Sequence, residues 1–260
     1  MSIATEPSSP SLRQLVNKRI VVVGGSSGIG FAVAQSSLEQ GAIVVIASSN
    51  EAKIQTAVQK LIQANNAFAG KIDGLVVDAT QPDSIRALMD KIGKFDHLVW
   101  TAGDAVGMPN FLTDDLVAGA ARPDLRLLAP AIAVQHVFNN KLFNEGGSVT
   151  LTTGYIAQKA IKGWTMAIAG AGSIVSFTRG LALEVAPIRV NAVAPGSVHT
   201  EMWEAASPQV VEYLKQSAIN SSPLKHCGQP EECAEAYLFL MKCPMMTGST
   251  VYVESGALLL

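Results

Sequence analysis

A single-domain, doubly wound α/β fold on a seven-stranded parallel sheet is the architecture that the sequence predicts, and three observations predict it. Short apolar runs, each too short for a helix, recur along the chain and alternate with longer helical patterns. A glycine-rich turn joins the first run to the first helical segment. No repeat, low-complexity stretch or composition break divides the 260 residues, a length that one α/β domain commonly fills.

In chain order the strand-like runs are Ile20–Val23, Ile43–Ala47, Gly74–Val77, His97–Trp100, Ser148–Leu151, Arg189–Val193 and Val251–Val253. Right-handed crossovers put the carboxyl ends of these strands, and the ligand crevice, along one edge of the sheet. Residues 1–17 are rich in Ser and Pro and lack the apolar core of a signal peptide, so they read as a loosely held tail before a domain spanning 18–260.

Composition narrows the function. Hydrophobic residues make up 48% and charged residues only 15%, which implies much buried surface, including subunit contacts. A net charge of −2 without a basic run argues against nucleic acid. No apolar run approaches the roughly 18–20 residues of a membrane span, so a soluble cytoplasmic protein is expected. Cys227, Cys233 and Cys243 form an odd, late set without C-x-x-C spacing; reduced thiols are expected, with no bound metal.

The stretch Ile20 to Gly30, IVVVGGSSGIG, carries the chemistry. An apolar strand enters a turn with glycines at 24, 28 and 30, and a helical segment follows. Gly24 allows the sharp turn, Gly28 brings the backbone close to a pyrophosphate, and Gly30 lets the helix pack on the strand. The N–H groups around Ser26, Ser27 and Ile29 then face the phosphates. The alternative is a plain glycine-rich turn. The spacing G-x-x-x-G-x-G resembles the short-chain dehydrogenase/reductase variant of the Rossmann-type fold.

Later segments are similar to the same family, over about residues 17–257. By that resemblance Asp78 stands where a carboxylate contacts adenine, and Ala102 and Gly103 match the second half of N-N-A-G. Leu181-Ala-Leu-Glu184 and Arg189 to Gly196 match the helix end and strand beyond the catalytic helix. Pro195, Gly196, Val198 and Thr200 match the segment that touches nicotinamide. The second strand ends Ser48-Ser49-Asn50, with Lys53 just beyond. An NAD site places a carboxylate there for the ribose 2′-OH, so these neutral donors favour NADP(H). They also serve as caps for the next helix, and both readings are compatible.

The family usually carries an Asn, a Ser and a Tyr-x-x-x-Lys. Hydride delivered to a neutral carbonyl makes an alkoxide, so Tyr supplies a proton, Lys lowers its pKa and Ser holds the oxygen. Counting back from Leu181 by the family's spacing, the Lys falls on Ala171 and the Tyr on Ala167. The Asn falls on Arg126, and only the Ser has a substitute, Thr153 or Thr152. Tyr155 and Lys159 form another Y-x-x-x-K, but Tyr155 is two residues past Thr153, far closer than the family's spacing, and is expected in a loop.

Four residues are therefore candidates for the chemistry: Arg126, Thr153, Trp164 and His199. An Arg in an α/β interior needs a partner, because burying its charge alone is too costly; substrate, cofactor and a carboxylate such as Asp104 are the choices. Trp164 is read as a pocket wall or a core residue, and His199 as a proton shuttle or a loop residue. Residues 201–222, with Met202, Trp203 and Tyr213, are expected to cover a small hydrophobic organic substrate.

Hydride addition to an iminium gives a neutral amine directly and needs no Tyr or Lys. An Arg in the Asn position, a Gly-Trp pair and a small-residue helix are similar to fungal alkaloid reductase/Diels–Alderases of the malbrancheamide type. By that resemblance Arg126 and Trp164 orient substrate, although Ile161 stands where an acidic residue is expected. Three readings stay open: an NADP(H)-linked reductase of an activated group, coupled or not to cyclisation; a non-redox cyclase or isomerase using Arg126; and a non-catalytic nucleotide binder or ordinary carbonyl reductase.

Overall fold

Arg19–Val23 form the first strand, β1, and its side chains enter core on both sides. Ile20 and Val22 join one hydrophobic cluster, Val21 and Val23 the other, as in a strand covered on both faces. The computed structural model describes residues 14–103, 111–114, 125–204 and 207–260. After β1 come α1 (Gly28–Glu39), β2 (Ile43–Ser48), α2 (Glu51–Ala64), β3 (Ile72–Val76), α3 (Pro82–Ile92) and β4 (Phe95–Trp100). Then follow α4 (Leu128–Asn139), β5 (Phe143–Thr152), α5 (Thr165–Glu184), β6 (Arg189–Pro195), α6 (Glu201–Glu204), α7 (Pro208–Asn220), α8 (Pro230–Lys242) and β7 (Thr250–Val253).

The sheet is parallel with order β3-β2-β1-β4-β5-β6-β7. Helices α1, α2 and α8 cover one face and α3, α4 and α5 the other. The order reverses between β1 and β4, so the ligand crevice opens beyond their carboxyl ends. All seven predicted runs are strands. The largest difference in extent is β5, which starts at Phe143 instead of Ser148: Phe95 pairs with Phe143, then the register shifts so that His97 pairs with Ser148. The polar Asn144-Glu145-Gly146-Gly147 stretch is the bulge between these two pairings, which hydropathy cannot see.

Two further expectations change. The tail is anchored by its end, because Leu15 is fully buried and Asn17 N–H donates to the Gly41 carbonyl at 2.9 Å. Helix α5 is long and apolar enough to span a membrane by length and composition, with a mean hydropathy of 1.4. Only 22% of that window is buried; Ala171, Ile174, Thr178 and Ala182 line its inner face, while Leu183 is exposed. Interspersed Gly, Ser and Thr hide this run from a search for unbroken apolar residues.

The amino ends of the strands hold a polar lock. Asp96 accepts from Lys18 Nζ at 2.9 Å and Arg19 N–H at 2.8 Å. Burial alone would raise the Asp96 carboxyl, but these donors outweigh it and hold the pKa below the usual value. The neighbouring His97, its Nδ1 2.8 Å from Ser148 Oγ, is buried. Burial drives its pKa from 6.5 down to about 4; Asp96 opposes the fall, and Arg189 and Lys18 add to it.

His97 is thus neutral in the folded state and takes up a proton on unfolding. The stability this contributes is full above about pH 6.5 and is lost as pH falls towards 4. We expect urea denaturation to show a loss on the order of 3 kcal/mol across that window, and His97→Gln to remove it. An NMR titration giving His97 an ordinary pKa would contradict the assignment.

Candidate active site

The β1–α1 turn is closed by steric contact. A Cβ on Gly30 would collide with the Gly24 carbonyl oxygen and with Thr101 Oγ1. Gly24, at φ +92°, lies against the backbone leaving β4: a Cβ there would stand 2.5 Å from Ala102 N. Gly24 N–H donates to the Ala47 carbonyl at 2.8 Å, and Thr101 and Ala102 N–H donate to the Val23 carbonyl at 2.8 and 3.0 Å. These bonds hold the amino end of α1 at the switch point, as a diphosphate cradle requires.

The remaining nucleotide-contact candidates surround this turn. Ser26 Oγ donates to Ser48 Oγ at 3.0 Å, tying the turn to the end of β2. Asn50 is the N-cap of α2, accepting the Lys53 N–H at 3.0 Å, and Ser49 is exposed. The end of β2 therefore presents hydroxyls, with its first carboxylate, Glu51, already inside α2. Asp78 accepts from the Thr80 hydroxyl at 2.6 Å and the Thr80 N–H at 2.9 Å, which lower its pKa and keep it ionised. Pro195 closes β6. Gly196 is pressed against Glu254, 2.7 Å from its Cα if a Cβ were added, and Val198 bridges to Gly228.

Ser27 is extended and makes no side-chain bond to α1, whose first turn contains no acidic residue. Instead, Gly28 N–H donates to Glu201 Oε2 at 2.8 Å, beside Thr200. Sequence reading did not foresee that contact. An amino-terminal turn without its own carboxylate, together with an acid directly after Thr200, is the signal that was present.

The catalytic candidates divide between the carboxyl ends of β4, β5 and β6. The Arg126 guanidinium lies over Gly103, at 2.5 Å from a Cβ placed there, so any side chain at 103 would displace it. Its charge also reaches Tyr237. Asp104, one partner considered for Arg126, lies outside the described residues. Thr153 Oγ1 donates to the Ala171 carbonyl at 2.8 Å, at the helix position where the resemblance places a lysine. Thr152 Oγ1 donates to the Trp100 carbonyl and meets the Tyr237 hydroxyl, both at 2.7 Å. Burial pushes the Tyr237 phenol well above its ordinary pKa, so it remains neutral.

Trp164 is the half-buried N-cap of α5. His199 Nε2 is 2.6 Å from Glu204 Oε1, and its ring meets Trp203 edge-on at 5.9 Å. Its N–H donates to the Gly228 carbonyl at 2.9 Å, fixing the loop. The expected apolar cover is only partly formed, because Met202 and Tyr213 are exposed while Trp203 packs on His199. Glu204 and Tyr237 were not foreseen, since their partners are distant in sequence or on another element.

Tyr155 begins a single 3-10 turn, Tyr155–Ala157, before α5. Lys159 Nζ donates to the Ala257 carbonyl at 2.5 Å. Burial raises the Tyr155 pKa; a bond with Ser197 opposes this and Glu254 adds to it. A general acid of this chemistry needs a lowered pKa beside a free ammonium. This pair instead ties the turn to the carboxyl-terminal segment. Among the described residues, no cluster of His, Cys, Asp and Glu could hold a metal.

A family model described as an SDR-like Rossmann domain matches residues 12–260. A short-chain dehydrogenase/reductase of Gibberella fujikuroi, fsr5, is 34% identical over 95% of this chain and 96% of its own length. The solved structure of the MalC reductase/Diels-Alderase from Malbranchea aurantiaca aligns with a TM-score of 0.88 at 30% identity, covering 96% of this chain and all of that one (100%). A small-chain dehydrogenase solved in complex with NADPH aligns with a TM-score of 0.78 at 27% identity, covering 94% and 100% of the two chains.

Two substitutions test the site's geometry. Gly30→Ala is expected to destabilise the fold by about 1–3 kcal/mol in urea denaturation, because backbone atoms must move. Lys159→Met is expected to cost about 1 kcal/mol through the lost bond to Ala257 and to leave nucleotide affinity unchanged in a fluorescence titration.

Proposed function

The chain belongs to the short-chain dehydrogenase/reductase family, and we propose that it is an NADP(H)-dependent oxidoreductase of natural-product biosynthesis that reduces an activated, iminium-like or conjugated group. The cofactor reading rests on the glycine cradle, on the hydroxyls of Ser26 and Ser48 at the ribose end, and on the family member solved with NADPH. When bound, NADPH supplies the hydride. Gly24 and Gly30 would hold the turn under its diphosphate, and by the family resemblance Asp78 would contact the adenine and the Pro195–Thr200 segment the nicotinamide.

One observation carries the choice of substrate: the Tyr and Lys that would protonate an alkoxide are replaced on α5 by alanines, and the nearby Thr153 hydroxyl and Lys159 ammonium donate to backbone carbonyls. Thr153 donates to the Ala171 carbonyl, Lys159 to the Ala257 carbonyl, and α5 carries Ala167 and Ala171. Hydride addition to an iminium carbon moves the C=N⁺ π electrons onto nitrogen and yields a neutral amine, with no proton required. Arg126, over Gly103, orients the substrate through a carbonyl or carboxylate, and Trp164 forms an apolar wall. The pair His199–Glu204 supplies the titratable group that Ile161 does not.

The likeness to MalC, named a reductase/Diels-Alderase, supports coupling of the reduction to ring closure in a small hydrophobic substrate. The exposed apolar face of α5 suits a second copy of the chain in a homodimer or homotetramer, in a soluble, cytoplasmic enzyme.

NADPH is expected to bind at least about tenfold more tightly than NADH in a fluorescence titration, a difference of about 1.4 kcal/mol. With a cyclic iminium substrate, Arg126→Ala is expected to lower kcat/KM about 100-fold or more, while Tyr155→Phe retains turnover. The opposite pattern would place the acid at Tyr155. Product without NADPH consumption would assign a non-redox cyclase.

A further inference from the structure

Glu201 Oε2 accepts the Gly28 N–H at 2.8 Å, at the helix end where the glycine turn would hold a diphosphate. We propose that its carboxylate is a built-in competitor, holding the amino end of α1 in the cofactor-free protein and leaving when NADP(H) binds. The proposal rests on the NADP(H) reading above and goes beyond it, because it assigns affinity control and a coupled movement to a residue outside the glycine turn.

The first turn of α1 has unpaired N–H donors and a positive dipole end, and both attract an anion. Its own sequence provides none: the first turn has no acid and Ser27 makes no side-chain cap. Glu201, 173 residues away, fills the need by accepting the Gly28 N–H at 2.8 Å. The segment also lies close upon the turn. A Cβ on Gly28 would stand 3.3 Å from Thr200 Cγ2, 3.4 Å from Thr200 Cβ and 3.6 Å from Glu201 Oε2. A diphosphate oxygen and this carboxylate oxygen compete for one donor, and their negative charges repel.

Displacement has a mechanical consequence. Glu201 opens α6, a helix of 4 residues that also contains Trp203 and Glu204. Those two hold His199, and α6 packs on α7, which follows it in the chain. Glu201 leaving the cradle therefore carries α6, and with it the partners of His199.

The test is direct binding without substrate. The Kd for NADPH is measured by fluorescence titration for the wild-type protein, Glu201→Gln and Glu201→Ala. Both variants are expected to bind about three- to tenfold more tightly, the range for removing a partly exposed charge from a helix end. Adenosine 2′-monophosphate, which carries no diphosphate, is expected to bind all three proteins equally in a calorimetric titration. Equal or weaker NADPH binding by both variants overturns the proposal, and so does an equal gain for adenosine 2′-monophosphate, which would place the effect outside the cradle. If none of the three binds NADPH, the cofactor reading falls and the competitor role falls with it.

Discussion

The absence of side chains at positions 24 and 30 is the constraint on which this molecule depends. Only without a Cβ at Gly30 does α1 reach the Gly24 carbonyl, and only without one at Gly24 does the turn lie against Ala102 N. The contact ties β1, β4 and the amino end of α1 into one rigid unit at the switch point of the sheet. A helix end fixed there presents donors and a positive dipole to the crevice whether or not a cofactor is bound. The unmet charge calls for an anion, which is why Glu201 on a distant segment settles onto Gly28.

Around this cradle, the carboxyl ends of the neighbouring strands are arranged in an unusual way. The hydroxyls of Thr152 and Thr153 are turned into the protein, the first to Trp100 and Tyr237, the second to the Ala171 carbonyl. Helix α5 brings small side chains where a proton-donating pair stands in the resemblance. Arg126 brings a cation over Gly103 instead. With Arg126 there and no phenol of lowered pKa among the described residues, such a crevice fits the proposed acceptor, one already charged or conjugated, since that substrate brings its own activation.

The likeness to MalC and the geometry point the same way, but through different quantities. Overall similarity speaks to the fold and the family. The bond partners of Thr153 and Lys159 speak to the chemistry, because the single Thr153 hydroxyl proton goes to the Ala171 carbonyl and the Lys159 ammonium is held at the Ala257 carbonyl. His199 pairs with Glu204, which lies on the element that Glu201 anchors.

The sequence by itself determined the seven strands, the two covered faces and the nucleotide cradle. Each is written in local pattern: successive residues of a strand such as Ile20–Val23 must all be apolar when both faces are buried, and Gly30 is demanded by the Gly24 carbonyl within one turn of chain. The same local pattern also separated Tyr155 and Lys159 from the long helix. Only the tertiary structure decided where β5 begins, that Leu15 anchors the chain start, that Lys159 ends on the Ala257 carbonyl and that Glu201 caps α1. These outcomes depend on which distant groups packing brings within 3 Å or so of each other, at hydrogen-bond range. Local propensity carries no record of that, because the competing partners become neighbours only after the sheet has formed.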